Sequence, residues 1–106
     1  MERGDVRWYK FSSPDKKRPV VILTRNSAIE YLGEVTTVAP ITTTIRDIPS
    51  EVLLTIEDGM KHDCAINLDH IQTVSKGKIG ALISKLGSPK LSQLRQALNF
   101  ALGFTD

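Results

Sequence analysis

The sequence predicts a mainly β protein with helical additions, a small β-barrel closed by one C-terminal α-helix. Three observations carry that reading. Short β-branched and aromatic runs recur between turn residues from Val6 to Ile83. Leu91, Leu94, Leu98 and Leu102 return at helical spacing behind Ser88-Pro89. The 106 residues contain no repeat, linker or low-complexity tract, so residues 1–106 read as a single domain.

Taken in order, Val6 to Phe11 forms a first strand, with Trp8 and Tyr9 pointing to opposite faces. Ser12 to Lys17 is a basic, turn-rich loop. Pro19 to Thr24 is an apolar run of strand length, so it reads as a buried strand. Val35 to Thr43 is a third strand, and Pro40 within it points to a sheet edge or a bulge, because proline cannot donate to a ladder. Val52, Leu54 and Ile56 alternate as one face of a fourth strand, and Asp58-Gly59 marks a turn. Cys64 to Leu68 and Ile71 to Ser75 are two more short strands, and a last one starts at Ile79 and ends near Ile83. Ser88 reads as a helix N-cap with Pro89 at the first helical position, and Gly103 as the stop.

Composition excludes several classes. At 41% hydrophobic and 25% charged residues the chain matches neither a disordered nor a fibrous protein. No apolar stretch approaches the ~20 residues of a membrane span, and no basic start precedes an apolar run as in a secretory signal. The lone Cys64 fits a reducing, cytoplasmic setting. Charge is uneven: residues 1–26 hold seven cations against three anions, whereas residues 27–106 hold seven against nine. A basic quarter on an acidic remainder suggests a face for a polyanion, beside the plain alternative of solvated strands and loops.

Most catalytic patterns fall away. His62 and His70 read as isolated surface histidines rather than an acid–base pair, and Cys64, alternating with Ile66, as a core residue. No metal-ligand spacing is present. Lys76 to Gly80 lacks the spacing of a phosphate-binding loop, and Ser13-Pro14-Asp15-Lys16 matches the Ser-x-x-Lys pattern of acylating enzymes only outside a helix. Polar residues at strand ends remain. Arg18 precedes Pro19 and is therefore biased to extended backbone, placing an always-charged planar guanidinium at a strand mouth where a phosphodiester fits. Thr42 and Thr43 close the third strand with hydroxyls able to donate to a phosphate oxygen.

Arg3-Gly4-Asp5-Val6, Arg18-Pro19-Val20-Val21-Ile22, Val38-Ala39-Pro40-Ile41-Thr42-Thr43, Ile48-Pro49-Ser50-Glu51-Val52 and the run from Asp63 to Val74 follow one another in a fixed order. Together with a final helix ending Ala97 to Gly103, this order resembles the MazF/PemK family of toxin endoribonucleases over essentially the whole chain. The resemblance implies an SH3-like, CcdB-like barrel, a homodimer, a cognate antitoxin as partner, and cleavage of single-stranded RNA, messenger RNA in many members, with neither metal nor cofactor. It places the catalytic pair at Arg18 and Thr42, and the acidic residue and glutamine of the family at Asp69 and His70, where His70 departs from the pattern. The Ser12 to Lys17 loop is shorter and more basic than in many members, so no cleavage sequence transfers.

The expected RNA contacts are Lys16, Lys17 and Arg25 on phosphates, Asn26 and His70 on base edges, and Thr43 and Asp69 elsewhere on the RNA, with Trp8 and Tyr9 either stacking on bases or, for at least one of them, packing in the core. Two alternatives share the fold. A CcdB-like gyrase poison depends on a Trp-Gly-Ile ending on the C-terminal helix, whereas this chain ends Leu102-Gly103-Phe104-Thr105-Asp106 and its only tryptophan is Trp8. A non-catalytic nucleic-acid-binding module would use the same basic face without chemistry.

Overall fold

The computed structural model describes residues 1–11 and 16–104. Seven antiparallel strands form the body: β1 (Asp5–Lys10), β2 (Lys17–Ile22), β3 (Val35–Thr42), β4 (Glu51–Leu54), β5 (Cys64–Asn67), β6 (Gln72–Ser75) and β7 (Ile79–Lys85). A short helix α1 (Asn26–Ile29) joins β2 to β3, and α2 (Ser88–Ala101) follows β7. The main path of pairing runs β4-β5-β3-β2-β1-β7, while β6 pairs β3 beside β5, so the sheet curls around its long central strand. Ser12 to Asp15, most of the expected basic loop, lies outside the described residues.

Both faces of this sheet are covered, which is why β2 reads as a continuous apolar run instead of an alternating one. Val21 joins a core with Val6, Ala39, Leu54 and Ile66, against which Leu94 and Ala97 of α2 pack. Val20 and Ile22, one residue to either side, join Tyr9, Val38, Ile29 and Val74 in a second core. Trp8 and Tyr9 part as alternation requires, Trp8 remaining 39% exposed and Tyr9 only 8%.

Four local expectations are corrected. Pro40 lies on a central strand, not on an edge. β3 pairs β6 through Val38 and β5 from Ile41, so Ala39 and Pro40 occupy the changeover between two partners. Ile56 does not continue the buried face of β4. The Thr55 hydroxyl accepts the Glu57 N–H at 3.2 Å and the Asp58 carboxylate accepts the Thr55 N–H at 2.9 Å. This capping box turns the chain into a 3₁₀ turn and leaves Ile56 73% exposed. The last strand runs beyond Ile83 to Lys85, because β1 extends to meet it at Asp5. The N-cap of α2 is Gly87, whose carbonyl accepts the Leu91 N–H at 3.0 Å, with Ser88 and Pro89 inside the first turn. Pro89 is tolerated there because first-turn N–H groups have no partner within the helix.

Candidate functional site

Register brings the two strand-end candidates together. β2 and β3 pair Ile22 with Val38, Val21 with Ala39 and Val20 with Pro40. Carried two residues further, that register sets Arg18 opposite Thr42. The two side chains line one cavity of about 350 Å³. Its polar wall also holds Lys17, Thr43, Lys61 and His62, and its apolar wall Trp8, Pro19, Ile41, Met60 and Ile83. Each strand contributes for a local reason: proline after Arg18 keeps the chain extended, and β-branched Ile41 and Thr42 hold β3 straight to its end.

The hydrogen bonding of Thr42 is informative. Its Oγ1 accepts the backbone N–H of Thr44 at 3.1 Å. An oxygen engaged as acceptor still has its own O–H to give, so the hydroxyl proton is free to point into the cavity. Arg18 is exposed. The ion pairs among the described residues join Arg7 and Lys85 to Asp5, Lys85 to Glu2, and Lys90 to Asp58. None of them neutralises Lys16, Lys17, Arg18 or Lys61. A second cavity of about 560 Å³ shares Trp8 and Lys17 with the first and adds Lys10, Phe11, Lys78 and Ile79. The two cavities together form a cationic groove with aromatic walls, the surface chemistry that single-stranded nucleic acid needs.

The other expected contacts lie elsewhere. Lys16 is exposed just before β2. Arg25 precedes α1, and the Asn26 side chain accepts the Arg3 N–H at 2.7 Å. Asp69 accepts the Ser50 hydroxyl at 2.6 Å, and the Asn67 amide lies 3.2 Å from Nδ1 of His70. Arg25, Asn26, Asp69 and His70 do not line the cavity that holds Arg18 and Thr42.

Sequence reasoning missed Lys61 and read His62 as an isolated surface histidine, yet both line this cavity. They reach the site on the loop from Gly59 to Asp63, whose two ends are fixed. Gly59 has φ +91°, and a Cβ there would fall 2.5 Å from the Ser84 hydroxyl, so only glycine allows this close crossing of β7. Ser84 in turn donates to the Asp58 carbonyl at 2.5 Å. At the far end Cys64 enters β5 opposite Leu54. Asp58-Gly59 was the visible sign of this turn, but no spacing rule connects it to Thr42. Cys64 borders the cavity and is buried as expected of a core thiol. Burial, then Asp63 and Asp58, push its pKa up, so it stays protonated and is a poor nucleophile.

Among the described residues no three His, Cys, Asp or Glu side chains gather as a metal would require, and no helix is long and apolar enough to cross a membrane. Known proteins resemble this chain along nearly its whole length. A curated Mycobacterium tuberculosis protein called "Probable endoribonuclease MazF2" is 34% identical over 104 residues, covering 97% of this chain and 99% of its own. "Probable endoribonuclease MazF5" of the same organism is 39% identical over 94 residues, 88% of this chain and 80% of its own. The solved structure of Mycobacterium tuberculosis toxin MazF-mt6 superposes with a TM-score of 0.84 at 31% identity, covering 93% of this chain and 96% of its own. The profile of the PemK-like, MazF-like toxins of type II toxin–antitoxin systems matches residues 2–102, and the chain belongs to that family.

Proposed function

We propose that this toxin is a metal-independent endoribonuclease that cleaves single-stranded RNA, messenger RNA among its targets, at short sequences. The observation that carries the reading is the meeting of Arg18 and Thr42 in one cationic cavity. RNA supplies its own nucleophile in the 2′-hydroxyl, so the protein needs neither a covalent nucleophile nor a metal. It must align the 2′-oxygen with the scissile phosphorus and stabilise the charge that builds on the phosphorane. Arg18 would hold the non-bridging oxygens through its planar fork, and the free O–H of Thr42 would donate to the same phosphate. The products are a 2′,3′-cyclic phosphate and a 5′-hydroxyl. A guanidinium has donors and no free lone pair, so Arg18 would serve as an electrostatic clamp rather than a base.

Lys16 and Lys17 would meet flanking phosphates, and Thr43 would sit beside the scissile group. Arg25, Asn26, Asp69 and His70, lying outside the cavity, would touch nucleotides further along the strand. Two copies would pair as a homodimer. An acidic antitoxin segment laid over the groove would silence it by occupying the same lysines.

The test separates enzyme from binder. Arg18→Ala and Thr42→Ala should each lower the cleavage rate by on the order of 10²–10³ while RNA affinity falls far less. Equal losses in rate and affinity would instead mark a binding module.

A further inference from the structure

Cleavage by 2′-hydroxyl attack requires a group that takes the 2′ proton, and the cavity contains few candidates. Arg18, Lys17 and Lys61 are cations with donors and no lone pair to offer. The Cys64 thiol is held protonated by its burial and by Asp63 and Asp58. Thr42 and Thr43 are alcohols no more basic than the substrate. Among the described residues no carboxylate lines the space. His62 does line it, is exposed, and among the described residues enters no hydrogen bond or ion pair that would occupy a ring nitrogen.

On the reading that this cavity cuts RNA, we propose that His62 is the general base of the reaction. The 2′-oxygen forms its bond to phosphorus as its proton passes to a ring nitrogen of His62. The phosphorus–O5′ bond breaks, its electron pair stays on O5′, and O5′ takes a proton from water. The resulting hydroxide is neutralised by the imidazolium, which returns to its starting form. Imidazole suits this role because its charge change ordinarily falls between pH 5 and 8.

The loop is built to hold such a group in place. The capping box at Thr55 and Asp58, the Lys90–Asp58 ion pair and the Gly59–Ser84 crossing fix one end, and the β5 ladder fixes the other. Among the described residues the charged groups around His62 are Lys17 and Arg18 from β2, with Lys61 and Asp63 beside it in its own loop, while β1, β3 and β7 present Trp8, Ile41, the two threonines and Ile83.

The experiment is single-turnover cleavage of an RNA oligonucleotide carrying a mapped site, at saturating protein, between pH 5 and 8. Wild type, His62→Gln, His62→Arg, His62→Ala and Arg18→Ala are compared, each checked for fold by circular dichroism. The wild-type rate should fall as pH drops, because only the neutral form of the base can take the proton. His62→Gln should be slower by on the order of 10²–10⁴ with that pH dependence gone. His62→Arg should be as slow as His62→Gln, and added imidazole should restore part of the rate to His62→Ala. A normal rate in His62→Gln, or recovery in His62→Arg, would overturn the assignment, the latter by showing that any cation suffices. Arg18-dependent cleavage with a normal His62→Gln would sink this inference and leave the RNA-cleavage reading intact. Wild-type protein that cuts no RNA would sink both.

Discussion

Asp5 is a buried anion whose charge should contribute measurably to stability. It is 1% exposed on β1. Its carboxylate accepts from Lys85 Nζ at 3.0 Å, from the Glu2 N–H at 3.0 Å and from Arg7 Nε at 3.3 Å. Asp5→Asn keeps the shape and removes the charge, mimicking the protonated acid. A hydrogen bond to a charged group contributes about 1 kcal/mol more than a neutral one, and three are affected. Two of the donors remain wet: the Lys85 side chain is 57% exposed and that of Arg7 22%, and both keep second partners in Glu2 and the Gly80 carbonyl. The net cost therefore settles at about 2 kcal/mol, or roughly 8–16 °C in Tm for a domain of this size. Burial alone would raise the Asp5 pKa, but Lys85, the Glu2 amide and Arg7 outweigh it and hold it below the ordinary 3.8. A depressed carboxylate stabilises above its unfolded value and loses that contribution as pH falls through the folded one. Urea denaturation at fixed protein concentration should thus show a constant gap between wild type and Asp5→Asn from pH 5 to 7, closing below about 3.8. A gap under ~0.5 kcal/mol, or one that persists in acid, would mean that the Asp5 charge does not stabilise the fold.

Gly59→Ala places a Cβ 2.5 Å from the Ser84 hydroxyl at a φ of +91°. It should cost ~1–3 kcal/mol in denaturation and, by shifting the loop that presents Lys61 and His62, slow cleavage by about 10- to 100-fold. Retained stability would mean that the Gly59 turn is not strained by a side chain. Lys16→Ala and Lys17→Ala should each weaken RNA binding by similar factors on preferred and unpreferred sequences, with a salt slope lower by about 1. A loss confined to one sequence would make the lysine a reader of bases.

Alternation and turn chemistry made most of the strand order legible, because β1 to β5 bury at least one face and β-branched residues mark most of them. Where the reading slipped, a local hydrogen bond or a tertiary pairing overrode the pattern. Ile56 has the period of β4, but the Thr55 capping box ends the strand first. Pro40 obeys its chemistry, yet only the changeover of β3 between β6 and β5 shows how a central strand accommodates it. Arg18 and Thr42 were identifiable from their flanking residues and from family resemblance, while their facing each other is a matter of register. The site wall contributed by Lys61 and His62 was not legible, since it depends on a loop crossing β7 at Gly59, 25 residues before Ser84. His62 looked inert because nothing in sequence ties it to Thr42 at a strand end 20 residues earlier.

The most direct test of the account incubates the protein with a long mixed-sequence RNA in EDTA, beside Arg18→Ala, and reads the ends of the fragments. Cuts should fall at a recurring short sequence, each leaving a 2′,3′-cyclic phosphate and a 5′-hydroxyl, and Arg18→Ala should make them more slowly by on the order of 10²–10³. Cleavage abolished by EDTA, or equal cutting by the Arg18 variant, would contradict the account.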